Sequence, residues 1–226
     1  MYTREQVAKT IDHAVLKPEF TIEDLQKHAR ICIENNVFSM CVKPCDISTA
    51  KELLKNSDVK VSCVLSFPHG ADAIPVKAFQ AKQAIEDGAE EIDMVMNIGR
   101  FLSNDYHYVV EDIKAVVEVA HKHDVPVKVI QESGFLSPEQ IAKACELSFM
   151  AGADFVKTST GFGPGGAKPE YIDIMLKTVG DDMKVKASGG IRTWKDAVAF
   201  LNQGADRLGI GSTEAVLNGA EASGDY

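Results

Sequence analysis

The sequence predicts an α/β protein folded as a single (β/α)8 TIM barrel, and three observations carry that expectation. Eight short strand-like segments alternate with helix-length amphipathic stretches, which implies parallel strands joined by right-handed crossovers. Three junctions repeat one grammar: Gly88-Ala89-Glu90-Glu91-Ile92-Asp93, Gly152-Ala153-Asp154-Phe155-Val156-Lys157 and Gly204-Ala205-Asp206-Arg207-Leu208-Gly209. Each reads as a glycine ending a helix in the left-handed region, a short link, and a strand. Eight such units occupy the 226 residues, so residues 1–226 are expected to form one closed barrel domain rather than an open doubly wound sheet.

In chain order, strands are expected at residues 11–14, 39–42, 60–65, 91–95, 127–131, 154–157, 183–187 and 207–210. Helix starts fill the intervals. Thr21 with Asp24, Ser137 with Pro138 and Gln140, and Thr193 with Asp196 each place a capping oxygen three residues before a side chain that can reach back. Behind the last of these, Trp194, Ala197, Val198 and Leu201 recur at the spacing of a buried helical stripe. Val109, Val110, Ile113, Val116, Val117 and Ala120 form another, and both stripes read as packing.

Composition narrows the function. Hydrophobic residues make up 45% of the chain, ample for a sizeable core, and no apolar run reaches membrane-span length. The start, Met1-Tyr2-Thr3-Arg4-Glu5-Gln6, lacks the pattern of a secretion signal, so a cytoplasmic protein is expected. Five cysteines, an odd number, imply reduced thiols and no disulfide framework. Cys41 and Cys45 have no second spaced pair, so no metal is expected. A net charge of -9 opposes nucleic acid and acidic membranes as partners. A small anionic substrate fits, because local geometry outweighs the global field.

In such barrels chemistry sits at the C-terminal ends of the strands. The polar residues there are Asp12, Cys41, Asp93, Asn97, Lys128, Glu132, Lys157 and Lys186. Phe155 and Val156 read as a short buried strand, and residues 158–166 must open into a loop, so Lys157 stands at the junction. If Lys157 points inward with Phe155, burial favours its neutral, nucleophilic amine; the alternative is a lysine leaning out to water. Met183-Lys184-Val185-Lys186-Ala187-Ser188-Gly189-Gly190 repeats that grammar, and a second ammonium nearby disfavours protonation of the first amine. Asp93, in a strand with no structural need for it, is either a satisfied partner of these lysines or a proton carrier. Lys128 reads as a charge-network residue and Cys41 as a small buried thiol. Three glycine-rich turns, at residues 160–167, 189–190 and 209–212, offer backbone amides to a phosphate.

Four segments resemble the deoxyribose-phosphate aldolase family of imine-forming class I aldolases: Ile11-Asp12-His13-Ala14-Val15-Leu16-Lys17-Pro18, Glu91-Ile92-Asp93-Met94-Val95, Phe155-Val156-Lys157-Thr158-Ser159-Thr160-Gly161-Phe162 and Val185-Lys186-Ala187-Ser188-Gly189-Gly190-Ile191-Arg192. The resemblance covers nearly the whole chain. It implies that Lys157 forms the Schiff base, that Asp93 and Lys186 relay protons, and that Asp12 and Cys41 line the pocket. A phosphate site of Gly189, Gly190, Gly211 and Ser212 is implied, assisted by the turn from Thr160 to Gly163. No metal or organic cofactor is implied, and the partners would be 2-deoxyribose 5-phosphate, glyceraldehyde 3-phosphate and acetaldehyde. Lys43, Gln131, Lys168 and Gly211 depart from the usual family pattern. Another class I phosphosugar aldolase, a transaldolase-like barrel, or a non-catalytic phosphosugar-binding barrel are the competing readings. A homo-oligomer, a dimer or higher, is expected. The C-terminal tail is either a frayed end or a segment that brings Tyr226 to the site as a proton donor.

Overall fold

The structure, a computed structural model, describes residues 2–219. Eight strands, β1 (Ile11–Val15), β2 (Ser39–Val42), β3 (Lys60–Leu65), β4 (Glu91–Val95), β5 (Val127–Ile130), β6 (Phe155–Lys157), β7 (Lys184–Ser188) and β8 (Arg207–Ile210), close a barrel in sequence order. Every neighbouring pair is parallel, including β8 with β1. Helices α1 (Arg4–Ala8), α2 (Ile22–Glu34), α3 (Ile47–Leu54), α4 (Ile74–Glu86), α5 (Ile98–Leu102), α6 (Tyr106–His121), α7 (Pro138–Met150), α8 (Pro169–Val179), α9 (Trp194–Gln203) and α10 (Thr213–Leu217) accompany them. The main apolar core lies between strands and helices, where Val61, Val129, Val156 and Val185 of the sheet meet Ile113, Val116, Ile141 and Ala197.

The repeated junctions have a common physical basis. Gly88, Gly152 and Gly204 take φ of +111°, +81° and +120°, which a side chain resists. The alanine after each donates its N–H five residues back, to Ala84, Ser148 and Phe200, the bond that closes a helix C-terminus. The acidic residue that follows does more than link. Glu90 accepts the N–H of Val61 at 3.2 Å, Asp154 that of Val127 at 2.7 Å, and Asp206 that of Val185 at 2.8 Å. Each carboxylate thus caps the start of the preceding strand.

The expected helix starts are present: Thr21 and Ser137 form reciprocal capping boxes with Asp24 and Gln140, and Thr193 caps the N–H of Asp196. Strand limits differ from expectation by one residue in β1, β5, β6 and β7. β5 stops at Ile130 because Glu132 turns into the left-handed region, φ 53° and ψ 60°. β7 continues to Ser188 because Ser188 exchanges bonds with the Thr158 hydroxyl, accepting at 2.9 Å and donating at 3.0 Å.

One buried polar link ties β1 to the helices. His13, 1% exposed, has Nδ1 2.8 Å from the Thr213 hydroxyl on α10 and Nε2 2.7 Å from His28 on α2. Burial first, and the neighbouring His28 second, push its imidazole down to about 3. A base with a lowered folded value contributes stability above the unfolded value near 6.5, lost as pH falls from there toward 3. Between about pH 7 and pH 5 the His13→Gln variant is therefore expected to lose roughly 2 kcal/mol less stability than the parent protein in urea titrations.

Candidate active site

Parallel barrels commonly fill their lumen with branched aliphatic side chains. Here the alternation of β1, β4, β5, β6, β7 and β8 sends charge inward instead: Asp12, Glu91, Asp93, Lys128, Lys157, Lys186 and Arg207 are all at most 7% exposed. Lys157 and Lys186 are register partners across β6 and β7, so the two lysines of the repeated grammar do meet. Gly209 on β8 makes room for Ser188, two residues beyond Lys186: a Cβ there would lie 2.4 Å from Ser188 Oγ, while Lys186 Cε, at 3.5 Å, would be in ordinary contact.

Asp93 is the hub. Its Oδ2 accepts from Lys157 Nζ at 2.8 Å and from Lys186 Nζ at 2.7 Å, while Oδ1 accepts from Lys128 Nζ at 2.8 Å. Lys186 also donates to Asp12 Oδ2 at 2.5 Å, and Lys128 to Glu91 Oε2 at 2.7 Å. Arg207 closes the network from below, donating to Asp12 Oδ1 at 2.8 Å and Glu91 Oε2 at 3.1 Å. Ser39 gives Asp12 a further bond at 2.7 Å.

The electrostatics follow from this packing. Burial works to raise the Asp93 carboxyl, but the ammonium groups of Lys128, Lys157 and Lys186 outweigh it and hold Asp93 well below the carboxylate range. Asp12 is likewise kept low against burial by Lys186, Lys128 and Arg207. Burial pulls Lys186 down, yet Asp12 and Asp93 more than reverse this, and Lys128 is raised in the same way by Asp93 and Glu91. Both lysines stay ammonium at neutral pH. Within this hydrogen-bonded cluster four cationic side chains, Lys128, Lys157, Lys186 and Arg207, face three carboxylates, Asp12, Glu91 and Asp93, so one amine can give up its proton with the cluster still in balance.

Other anticipated residues fall into place around the C-terminal mouth. Cys41, whose thiol burial pushes upward, packs with Ala14, Leu16, Val64 and Phe67. Gly189 and Gly190, at φ +85° and +76°, turn the chain after β7, and Gly211 and Ser212 follow β8. Thr160 differs from expectation: its N–H and hydroxyl are both directed at Glu132, so its donors hold a carboxylate. Of the departures from the family pattern, Lys43 bonds the Lys17 carbonyl at 3.2 Å and pairs with Asp46. Gln131 faces Cys145, and Lys168 lies over the Tyr171 ring. Tyr226 lies outside the described residues.

Sequence reasoning left Glu91 and Arg207 without a role. The signal for Glu91 was its place two residues before Asp93, on the same face of a strand; Arg207 opens β8 within the third repeat of the junction grammar. Glu132 stood among the strand-end residues, but nothing local foretells its left-handed backbone.

A (β/α)8 barrel with a buried lysine pair sharing one carboxylate oxygen at its C-terminal mouth has the groups that a lysine-dependent, imine-forming aldolase needs. The comparisons agree. The DeoC/LacD family aldolase model matches residues 6–220, and the chain belongs to that family. Relatives named deoxyribose-phosphate aldolase include one from Clostridium perfringens, 50% identical over 99% of both chains. Another, from Streptococcus suis, is 52% identical over 96% of this chain and 98% of its own. Among solved structures, a putative deoxyribose-phosphate aldolase from Coccidioides immitis superimposes with a TM-score of 0.92 at 36% identity, covering 96% of this chain and 86% of that one. A tetrameric deoxyribose phosphate aldolase from Aeropyrum pernix does so at 0.89 and 32%, covering 96% and 91%.

Proposed function

We propose that the protein reversibly cleaves 2-deoxyribose 5-phosphate to glyceraldehyde 3-phosphate and acetaldehyde, with Lys157 as the imine lysine. The observation that carries this reading is the sharing of Asp93 Oδ2 by Lys157 and Lys186 inside a charge-balanced lumen. The Lys157 amine adds to the C1 aldehyde, and water leaves to give a protonated imine. Loss of the C3 hydroxyl proton sends the C2–C3 bonding electrons into the iminium and releases glyceraldehyde 3-phosphate. The remaining enamine is protonated at C2, and hydrolysis frees acetaldehyde and the lysine.

Asp93 and Lys186 serve as the proton relay in this reading. The Asp93 carboxylate is a weak base while three ammonium groups face it; when Lys157 is a neutral amine or carbinolamine, one of them is gone and Asp93 holds a proton more readily. Lys186, charged throughout, keeps the Lys157 amine from retaining its proton. Asp12 fixes Lys186, and Cys41 is part of the apolar wall. The turns at Gly189-Gly190 and Gly211-Ser212 supply amides for the phosphate, with Gly163 and Thr160 shaping the loop beside them. Deoxyribonucleotide breakdown in the cytoplasm suits this reaction, and the tetrameric relative supports a homo-oligomer. No described helix is long and apolar enough to cross a membrane.

Incubation with acetaldehyde and borohydride tests the assignment: one N-ethyl group is expected on Lys157, and an adduct on another lysine, or none, overturns it. Lys128 provides a finer check. Lys128→Met leaves Glu91 and Asp93 short of one cation, so the proton on Lys157 is held more tightly. The limb of the kcat/KM profile that reports the free amine is expected to move at least about one pH unit to the alkaline side. An unmoved limb counts against the charge-balance account.

A further inference from the structure

Glu132 is buried, 2% exposed, and the reaction sequence above does not use it. Its backbone occupies the left-handed region, which a residue with a Cβ resists. Two bonds hold it there: Gln131 donates to the Lys157 carbonyl at 3.0 Å and Ser133 to the Thr158 carbonyl at 2.8 Å. The side chain is thereby clamped against the end of the Lys157 strand and turned toward the loop that follows it.

We propose that Glu132 is a positioning residue that sets the loop from Thr160 to Gly163 across the mouth, and so governs capture of the part of the substrate remote from the imine carbon. Its carboxylate accepts the Thr160 N–H at 3.2 Å and 3.3 Å and the Thr160 hydroxyl as well. The Thr160 hydroxyl in turn accepts the Phe162 N–H at 3.0 Å. The loop lies directly on the carboxylate: a Cβ at Gly163 would stand 2.6 Å from Glu132 Cδ. At the far end of this chain of bonds the Phe162 ring meets Phe67 edge-on, with centroids 5.4 Å apart. Both rings line a cavity of about 490 Å³ with Leu16, Val64 and Lys43.

The residue type matters. One residue, Thr160, presents two donors on the same side, and a carboxylate offers two acceptor oxygens where an amide offers one. Burial raises the Glu132 carboxyl, and the Thr160 bonds and the field of Lys157 limit that rise without reversing it. The anchor follows β5, whose last residue, Ile130, is the register partner of Lys157 on β6, so loop and amine share one rigid base.

This inference rests on Lys157 as the imine lysine, and the test separates the two. Cleavage of 2-deoxyribose 5-phosphate and borohydride trapping of acetaldehyde, which lacks the phosphate and hydroxyl groups, are measured side by side. For Glu132→Gln, kcat/KM for the sugar phosphate is expected to fall about tenfold or more, chiefly through KM, while the trapping rate falls less than about threefold. Thr160→Val, which keeps the side-chain shape, is expected to show the same split. The double variant should be no worse than the poorer single, since both break one chain of bonds. Parallel losses in cleavage and trapping, or multiplying losses in the double variant, overturn the positioning role. Should Glu132→Gln fail to fold, Thr160→Val decides by the same split. Absence of trapping in the parent protein overturns both this inference and the Lys157 assignment.

Discussion

Lys157→Met is expected to lower cleavage of 2-deoxyribose 5-phosphate by at least about 10⁴-fold and to remove the borohydride-trapped adduct altogether. Loss of a covalent nucleophile removes the step that splits a difficult bond cleavage into easier ones, and what remains is binding and electrostatics. Lys157→Arg should be equally inactive, because a guanidinium keeps its proton and is no usable nucleophile. The fold should tolerate the methionine. The three cations and three carboxylates left in the hydrogen-bonded cluster balance, and a buried methionine avoids the desolvation of an ammonium. Urea titration is expected to show a change within roughly 1–2 kcal/mol. Turnover above about 10⁻⁴ of the parent rate, or a trapped adduct on the Met variant, removes Lys157 from its role.

The second large effect is at Asp93. Asp93→Asn is expected to cut kcat by about 10²–10⁴-fold, the range for loss of a positioned proton carrier. Solvent exchange of the acetaldehyde methyl protons, which passes through the enamine, should slow in step. Unlike Lys157→Met, this change should also destabilise the fold, because Lys128, Lys157 and Lys186 all bond to that one carboxylate. Breaking a buried pair from one side costs about 3–5 kcal/mol. The effect has a pH signature. A carboxyl held low in the folded state contributes stability above its unfolded value near 3.8, lost as pH falls through the folded value. The gap between parent and variant should therefore be full at neutral pH and narrow in strong acid. Normal methyl-proton exchange in the variant rules out the relay role, and equal stability rules out the hub.

Glu132 and Gln131 mark the limit of what local patterns reveal. Alternation across β5 points Gln131 at Cys145 and would carry Glu132 inward as one more strand residue. Its left-handed turn instead comes from the carbonyls of Lys157 and Thr158, which are distant in sequence and fix the backbone on either side. Thr160 is a related case. In a glycine-rich turn its amide reads as an aid to phosphate binding; Glu132, just past the end of the neighbouring strand, takes that amide and the hydroxyl instead.

The sequence by itself determined the barrel, because helix stops, caps and strand composition are short-range properties. The junctions at Gly88, Gly152 and Gly204 carry their instruction in consecutive residues. It also placed two lysines and an aspartate at strand ends, since repeated strand-end grammar is local, while leaving open whether Lys157 points inward and whether Asp93 is more than a partner for the lysines. Only the tertiary structure decided how those charges share partners. That Lys157 and Lys186 meet on one oxygen of Asp93, that Lys128 takes the other, and that Arg207 and Glu91 complete the balance depends on the closure of β8 onto β1. Charge compensation among buried groups is a sum over every neighbour at a few ångströms, and the neighbours here come from six strands spread across the chain.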